Sequence, residues 1–530
     1  MQTYSLTVDK FLDHAAKWFP NREVAEANRG RVISRASYAA LRRRSNRMSG
    51  ALAALGAKSG DRIATLAWNT QHHFEIYYAA MGAGLVCHTL NPRLMPDQLA
   101  AMVAEADDRV IAVSARLLPL LRSIAELCPK IEHVVVLDAD SAAENIEGAQ
   151  VWAYEQLLEA HGSETRWGDF DENSPAGLCY TSGTTGSPKG VIYTHRSNYL
   201  HTLRALQADA MALSGNDVVL MAVPMFHANG WGVPFAAPAV GARLVLPGRH
   251  TDGASLATLI RDEGVTLAIG VQTVWLGVVD HLRKSDAELP TLDRVIIGGS
   301  NCPEALIRQM EEGLSARIQT SWGMTELSPL GTISPPHAPE YSSSGRPPIG
   351  LDLKLSDADG NVLNQQRNRV GHLWAKGASV VDRYFRAESD ALDEEGFFDT
   401  GDLATLDDQG NLTICGRSKD LIKSGGEWIN PAEIEVIVGR DPCVSLVAVI
   451  GTSDEKWGER PLLVVQPRNG EPVDVVRLID SLRGKVPDWW IPERIAQVRS
   501  MPLAASGKID KNLLRVELDA GEIAVERIGS

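Results

Sequence analysis

The stretch GLCYTSGTTGSPKG, residues 177–190, places a short apolar run directly before a loop of glycines, hydroxyl side chains and one lysine. Glycines let backbone N–H groups approach an anion, while hydroxyls and a lysine add donors and positive charge, so this composition predicts a phosphate-binding loop. It is not a Walker A loop, because the residue five positions after Gly183 is Pro188 rather than glycine. A solvated turn is the alternative interpretation, since turns use the same residue types. The candidate ligands are Thr181, Ser182, Gly183, Thr184, Thr185, Gly186 and Lys189.

Outward from this loop, helical patterns alternate with short apolar runs through much of the chain. Examples of such runs are 61–67, 84–90, 218–223 and 294–297. Strands that alternate with helices favour a largely parallel, doubly wound sheet, so the predicted fold class is α/β. After about residue 340, hairpin-like spacing predicts a small β-barrel-like part, and from about residue 420 a small α+β unit follows. We therefore predict a large N-terminal domain, 1–418, and a small mobile C-terminal domain, 419–530.

Charge, cysteine usage and hydropathy exclude several classes of protein for this chain. The formal net charge of −15 argues against a nucleic-acid binder, which would carry a basic face. None of the six cysteines forms a C-x-x-C pair, so neither a disulfide framework nor a zinc site is predicted. The longest uncharged run, 218–242, contains three prolines, which argues against a membrane span. We expect a cytoplasmic protein with no signal peptide and no integral membrane segment, and a homodimer is compatible with the sequence.

Six further motifs follow the loop along the chain. They are PMFHANGWG (224–232), IGGS (297–300), QTSWGMTE (319–326), FDTGD (398–402), CGRSKDLIKSGGEWI (415–429) and SGKIDK (506–511). A carboxylate such as Glu326 is an oxygen ligand suited to magnesium. A carboxylate such as Asp402 accepts hydrogen bonds from two neighbouring hydroxyls. Taken singly, these residues also fit ordinary roles: His227 with Trp231 fits core packing, and Lys508 fits a solvated surface.

Together with the loop, these motifs resemble those of the adenylate-forming superfamily, which includes acyl-CoA synthetases, firefly luciferase and nonribosomal peptide adenylation domains. The resemblance covers nearly the whole chain and is greatest, in motif detail, to long- and medium-chain fatty-acyl-CoA synthetases and methylmercaptopropionate-CoA ligases. It implies a ligase that uses ATP, Mg²⁺ and CoA to convert a small-molecule carboxylic acid into an acyl-adenylate and then a thioester. The acid stays open among a medium- or long-chain fatty acid, methylmercaptopropionate and an aryl-alkanoate. Loading of a carrier protein, luciferase-like oxidation and a non-enzymatic nucleotide sensor are the alternative functions.

The resemblance also implies roles for individual residues. The implied catalytic residues are His227, Thr325, Glu326 and Lys508, with Glu326 as the metal ligand. Besides the loop, the implied nucleotide-binding residues are Gly299, Ser300, Ser321, Trp322, Gly323, Asp402 and Arg417. Trp322 stands where the family usually has tyrosine and would stack on adenine. The implied acyl pocket consists of Trp231, Val271, Trp275 and Gly298. The implied CoA channel consists of Ser424, Gly425, Gly426 and Trp428, presented by rotation about a hinge at Lys419, whereas Lys511 is not expected to be catalytic.

Overall fold

The computed structural model describes residues 1–2, 4–139, 145–181, 188–285, 287–299, 302–336, 338, 343–425, 427–468, 470–503 and 509–528. Its strands, numbered in chain order, are β1 Glu23–Asn28, β2 Arg31–Ser37, β3 Arg62–Leu66, β4 Val86–Thr89, β5 Val110–Val113, β6 His133–Val136, β7 Gln150–Ala153, β8 Pro175–Tyr180, β9 Gly190–Thr194, β10 Val218–Met221, β11 Arg243–Leu246, β12 Leu267–Val271, β13 Arg294–Gly298, β14 Arg317–Gly323, β15 Leu330–Ile333, β16 Leu351–Ser356, β17 Gly371–Gly377, β18 Phe398–Leu406, β19 Leu412–Arg417, β20 Ile422–Ser424, β21 Glu427–Ile429, β22 Val444–Asp454, β23 Gly458–Pro467, β24 Arg494–Gln497 and β25 Glu526–Arg527. Its α-helices are α1 Asp9–Trp18, α2 Tyr38–Ala54, α3 Gln71–Gly82, α4 Pro96–Ala106, α5 Leu118–Leu127, α6 Tyr154–His161, α7 His195–Ala205, α8 Val233–Val240, α9 Gly253–Glu263, α10 Gln272–Ser285, α11 Glu304–Leu314, α12 Pro431–Val438, α13 Val475–Asp480 and α14 Lys511–Asp519.

Two large sheets dominate the described part of the chain before residue 418. One has the strand order β7-β6-β5-β3-β4-β8-β9 and the other β15-β14-β13-β12-β10-β11-β1-β2. Both are parallel in their centres, and antiparallel strands lie at the edges, at β9 in the first sheet and at β15 and β2 in the second. An extensive apolar core includes residues of both sheets and of helices α2, α3 and α8. The predicted doubly wound α/β fold is therefore confirmed.

Local sequence signals explain several element boundaries. Helix α3 begins at Gln71 because the Thr70 side chain accepts a hydrogen bond from the backbone N–H of His73. The uncharged run 218–242 forms strand β10, a buried loop and helix α8, which ends at Gly241 in a left-handed conformation. Among the described residues, no helix combines the length and the apolar character that a membrane crossing requires.

Two smaller sheets complete the described chain. Strands β16 to β19 form an antiparallel sheet in sequential order, which occupies the predicted barrel-like part. The last sheet has the order β21-β20-β23-β24-β25, with β22 paired to β23. Helix α12 starts at Pro431, because the Asn430 side chain accepts a hydrogen bond from the Ala432 N–H and proline fits the first turn of a helix. Asn430 Nδ2 also donates to the Cys415 carbonyl at 2.8 Å, so the start of α12 is tied to strand β19.

Candidate active site

The loop at residues 181–189 connects two antiparallel strands at the edge of the seven-stranded sheet. Strand β8 ends at Tyr180 and β9 returns from Gly190. The Thr181 N–H donates to the Lys189 carbonyl at 2.9 Å, and the Lys189 N–H donates to the Thr181 hydroxyl at 3.2 Å. These two bonds close the base of the loop and hold Lys189 at its exit. The remaining predicted ligands, Ser182, Gly183, Thr184, Thr185 and Gly186, lie outside the described residues, and their contact with phosphate stays a prediction.

Thr325 and Glu326 lie in a short turn after strand β14, near the exit of this loop. Both are 8% exposed, and the Tyr193 hydroxyl holds the turn by donating to the Thr325 carbonyl at 2.8 Å. The Tyr384 hydroxyl donates to Glu326 Oε1 at 2.9 Å, and Lys189 Nζ lies 4.7 Å from the centre of the Tyr384 ring. Burial raises the pKa of the Glu326 carboxyl, although a hydrogen bond from its own backbone and one from Tyr384 oppose the shift. One tyrosine therefore joins the predicted metal ligand to the predicted phosphate-binding lysine.

The surroundings of Glu326 fit a magnesium ion that is shared with a nucleotide. Among the described residues, no group of three or more His, Cys, Asp and Glu side chains could hold a metal by itself. Mg²⁺ in nucleotide sites usually takes one or two carboxylates together with substrate phosphates and water. Glu326 offers such a carboxylate beside the exit of the predicted phosphate-binding loop, so the chain would supply one ligand and the bound phosphates others.

Asp402, Arg417 and Trp322 form one hydrogen-bonded unit. Asp402 is 3% exposed, and its Oδ1 accepts from Arg417 Nε at 2.8 Å while its Oδ2 accepts from Trp322 Nε1 at 2.9 Å. Asp402 and Arg417 are directly paired across strands β18 and β19, which accounts for their contact. The Trp322 indole is 8% exposed and packs in a core cluster with Leu327 and Leu351. Stacking of Trp322 on adenine stays a prediction, and the structure adds a contact that orients the carboxylate predicted to bind ribose.

The remaining predicted nucleotide ligands that the structure describes, Gly299, Ser321 and Gly323, lie at the ends of the neighbouring strands β13 and β14. The Ser321 hydroxyl donates to the Ile297 carbonyl at 2.8 Å, which ties the two strand ends together. Gly299 follows β13 with φ +96°, and Gly323 ends β14. Ser300 lies outside the described residues. The carboxyl ends of parallel strands are the usual ligand-binding edge of an open α/β sheet, and these residues occupy that edge.

Trp231, Gly298 and Ser321 pack against one another at the same edge. A Cβ on Gly298 would lie 2.6 Å from Ser321 Oγ and 3.0 Å from Trp231 Cη2, so only glycine leaves the indole in its place. Trp231 is 9% exposed, and His227, four residues earlier in the same loop, is half-buried. The structure thus brings two of the predicted acyl-pocket residues into contact beside a predicted nucleotide ligand.

Trp275 is not part of this group. Side chains alternate between the faces of β12, so Leu267, Ile269 and Val271 face the core that contains Trp231, whereas Ala268 and Gly270 face the opposite side. Trp275 packs on Gly270 from that opposite side, in the core between the sheet and helices α9 to α11, and it is fully buried. The structure therefore places Trp275 in the hydrophobic core and not beside Trp231.

The predicted CoA channel and hinge lie at the start of the C-terminal unit. Ser424 is buried and contacts Arg460, while Gly425, with φ +61°, donates its N–H to the Trp457 carbonyl at 2.8 Å. Trp428 is 50% exposed. Burial lowers the pKa of Lys419, the predicted hinge residue, and the adjacent Asp420 opposes that shift. Gly426 and Lys508 lie outside the described residues, so their roles stay predictions.

Lys511 has a structural partner. Its Nζ lies 2.7 Å from Glu435 Oε1, which also accepts from the Val449 N–H at 2.7 Å. The pair fastens the start of helix α14 to helix α12. The expectation that Lys511 is not catalytic stays a prediction.

Two residues that position the site carry no sequence motif. Asn69 donates to the Met221 and Val223 carbonyls at 2.9 and 2.7 Å and accepts from the Met225 N–H at 2.8 Å, which holds the start of the loop that carries Trp231. Tyr384 joins Glu326 to Lys189 as described above. A single asparagine or tyrosine that lies far in the chain from its hydrogen-bond partners has no local pattern that distinguishes it from a surface residue. Neither Asn69 nor Tyr384 could therefore be predicted from the sequence.

Comparison with known proteins supplies the relatives of this chain. The profile described as AMP-binding enzyme matches residues 12–385, and the profile described as AMP-binding enzyme C-terminal domain matches residues 433–508. The chain is 41% identical to the 3-methylmercaptopropionyl-CoA ligase of Ruegeria lacuscaerulensis, covering 98% of both chains. It is 39% identical to the medium-chain-fatty-acid–CoA ligase of Ectopseudomonas oleovorans, covering 97% of this chain and 96% of that one.

A solved structure with the same architecture is o-succinylbenzoate coenzyme A synthetase from Bacillus subtilis in complex with ATP and a magnesium ion. The two structures align with a TM-score of 0.79 at 25% sequence identity, over 95% of this chain and 99% of that one. The similarity therefore extends through both the large N-terminal part and the C-terminal unit.

Proposed function

The chain belongs to the family of AMP-binding enzymes, and we propose that it is an AMP-forming acyl-CoA synthetase that acts on an apolar carboxylic acid. It is an ATP-dependent carboxylate–CoA ligase, with the acid, ATP and CoA as its substrates. The observation that carries the proposal is that residues of separate predicted motifs meet in the fold: Lys189 and Glu326 both contact Tyr384, and Arg417 pairs with Asp402. Burial raises the pKa of the Glu326 carboxyl, and the positive charges of Arg417 and Lys189 oppose that rise.

In the first step, a carboxylate oxygen of the acid attacks the α-phosphorus of ATP, and the bond to pyrophosphate breaks. Negative charge builds on the phosphoryl oxygens, and donors held in place beforehand stabilise it. We assign this task to the phosphate-binding loop with Lys189, to the Thr325 hydroxyl and to Lys508. Magnesium, when bound at Glu326, would neutralise part of the phosphate charge. Asp402 would hold the ribose hydroxyls, because Trp322 and Arg417 orient its carboxylate.

In the second step, the CoA thiol loses its proton to solvent, its sulfur attacks the carbonyl carbon of the acyl-adenylate, and AMP leaves as the acyl C–O bond breaks. We propose that the 419–530 domain rotates about Lys419 between the two steps, withdrawing Lys508 and presenting Ser424, Gly425, Gly426 and Trp428. Arg515 of helix α14 lies 3.6 Å from Asp420, so α14 contacts the residue that follows the proposed hinge. That contact supports a rotation in which the hinge and α14 move together.

The acid is bound, in this proposal, at the carboxyl edge of the eight-stranded sheet. Trp231 packs over Gly298 and forms an apolar wall at this edge. Val271 faces the hydrophobic core that contains Trp231. The two relatives reported above are named for 3-methylmercaptopropionate and for medium-chain fatty acids, and both acids suit such a wall. We therefore propose a methylthio acid or a medium- to long-chain fatty acid, with an aryl-alkanoate as the alternative.

A panel of acids tests this proposal. Pyrophosphate release should be fastest with octanoate or 3-methylmercaptopropionate, slower with phenylacetate and slowest with acetate, and AMP formation should rise when CoA is added. A clear preference for acetate would contradict the apolar pocket. AMP formation that is indifferent to CoA but rises with a carrier protein would instead favour carrier loading. The cytoplasmic location and the homodimer stay predictions, and sedimentation of the full chain would measure the oligomeric state.

A further inference from the structure

The segment 381–385 bridges the two halves of the phosphate site through its backbone. The Val381 N–H donates to the Glu326 carbonyl at 2.8 Å. Four residues later, the Phe385 N–H donates to the Gly190 carbonyl at 2.7 Å, at the strand that follows the phosphate-binding loop. The segment is therefore anchored at one end to the turn that carries Glu326 and at the other end to the exit of the loop.

Tyr384 lies between these two anchors, and its side chain contacts Glu326, Lys189 and Phe398. Its hydroxyl donates to Glu326 Oε1 at 2.9 Å, and its ring lies 4.7 Å from Lys189 Nζ. The edge-to-face contact with Phe398, at 6.4 Å between ring centres, fixes the ring against strand β18, which also carries Asp402. The ring position is therefore determined by groups on three different elements.

We propose that Tyr384 is a positioning residue that sets the spacing between the Glu326 carboxylate and the Lys189 ammonium group in the nucleotide site. The inference rests on the proposed function and deepens it. A free glutamate carboxylate rotates, and a free lysine side chain samples many rotamers, so both lose entropy when they bind a nucleotide. The hydroxyl and the ring face of one rigid side chain remove part of that loss, since hydrogen bonds to charged groups and cation–π contacts both hold the ion in place.

Two variants separate the two contacts. Tyr384→Phe deletes the bond to Glu326 but keeps the ring beside Lys189, whereas Tyr384→Leu deletes both. Binding of a non-hydrolysable ATP analogue is measured by calorimetry with and without Mg²⁺, which needs no turnover. We expect Tyr384→Phe to weaken binding about tenfold in the presence of Mg²⁺ and to leave Mg²⁺-free binding unchanged. Tyr384→Leu should weaken binding in both conditions.

A double-mutant cycle adds a readout that general loss of structure would not produce. In the Glu326→Gln background, Tyr384→Phe should change the Mg²⁺-dependent affinity by less than about twofold, because the carboxylate it positions is already absent. The control is Tyr154→Phe, which deletes a tyrosine–glutamate bond of 2.6 Å to Glu75 elsewhere in the large domain. That variant should bind the analogue as the wild type does.

Wild-type affinity of Tyr384→Phe in Mg²⁺ would overturn the inference while leaving the proposed function intact. Equal weakening by Tyr384→Phe with and without Mg²⁺, or additive effects in the cycle, would also overturn it, because either result would indicate a general structural role. If the wild-type protein bound the analogue identically with and without Mg²⁺, the proposed magnesium role of Glu326 would fail and the inference with it, whereas no binding in either condition would contradict the proposed function.

Discussion

The indole N–H of Trp322 donates to Asp402 Oδ2 across 2.9 Å and joins two motifs that are 80 residues apart in the chain. The other oxygen of the same carboxylate accepts from Arg417 Nε at 2.8 Å. The Trp322 ring is also confined, because a Cβ on Gly331 would overlap it. Asp402 is therefore held in one orientation by a donor on each oxygen, and Trp322 belongs to that arrangement as well as to the core.

Replacing Trp322 with phenylalanine should raise the KM for ATP about tenfold, because a bond from a donor to a buried carboxylate contributes about 1.5–3 kcal/mol. Phenylalanine keeps an aromatic face but lacks the N–H, so the variant separates orientation of Asp402 from stacking on adenine. Trp374→Phe is the matched control. Trp374 Nε1 donates to the Ser356 hydroxyl at 2.9 Å, in the four-stranded sheet that also contains Asp402. Steady-state kinetics at varied ATP measure both variants. An unchanged KM in Trp322→Phe would assign Trp322 to stacking or packing alone.

Two tryptophans on opposite sides of one sheet should respond differently to truncation. Trp231→Ala opens space beside Gly298 and should increase kcat/KM for longer acids relative to octanoate by roughly tenfold, the order expected for a change of one or two methylene groups in a pocket. Trp275→Ala leaves a cavity in the core and should lower the free energy of unfolding by about 3–5 kcal/mol, with acid preference unchanged. A chain-length series and denaturant unfolding of both variants provide the comparison. A changed acid preference in Trp275→Ala would bring that residue back to the pocket.

Lys508 and Lys511 lie three residues apart. We expect substitution of Lys508 to affect catalysis and substitution of Lys511 to affect stability. Lys508→Ala should slow pyrophosphate release by about 10²–10³, the effect of losing one donor to the developing charge. It should leave thioester formation from a supplied acyl-adenylate largely intact. Lys511→Ala removes the partner of Glu435, whose pKa is raised by burial, and should cost about 1–3 kcal/mol of stability. Equal loss in both half-reactions for Lys508→Ala would remove Lys508 from the proposed adenylation step.

Acid should destabilise the large domain through buried neutral histidines, of which His73 gives a direct test. Its ring nitrogens lie 2.9 Å from the Trp68 carbonyl and 2.9 Å from the Thr65 hydroxyl, and burial lowers its pKa to about 4. The unfolded chain takes up a proton near pH 6.5 and the folded chain only near pH 4, so stability contributed by His73 falls as the pH decreases between these values.

The size of this effect can be measured by unfolding at two pH values. Between about pH 7.5 and about pH 5, His73 should account for a loss of about 2 kcal/mol in the free energy of unfolding. The His73→Gln variant should lose less over the same interval, although it will be less stable at the higher pH. If wild type and variant showed the same pH dependence, His73 would not be the titrating group.

Several features of the fold and site could be predicted from local sequence, because their causes are local. Alternating apolar runs and helical patterns determine the doubly wound architecture, since each element must bury one face. The Asn430-Pro431 pair determines where helix α12 starts. The glycine and hydroxyl composition of residues 181–189 indicates a phosphate-binding loop before any fold is known.

Only the tertiary structure decided which of the similar side chains meet. Trp231 and Trp275 are the same residue type in equally apolar surroundings of the sequence, yet β12 separates them because its side chains alternate between two cores. Tyr384 and Asn69 lie in no motif, and their roles arise from partners more than fifty residues away in the chain. The sequence by itself determined the family, the fold and the order of the chemical groups along the chain. Folding decided their neighbours, because a contact between distant residues depends on strand register and helix face rather than on local composition.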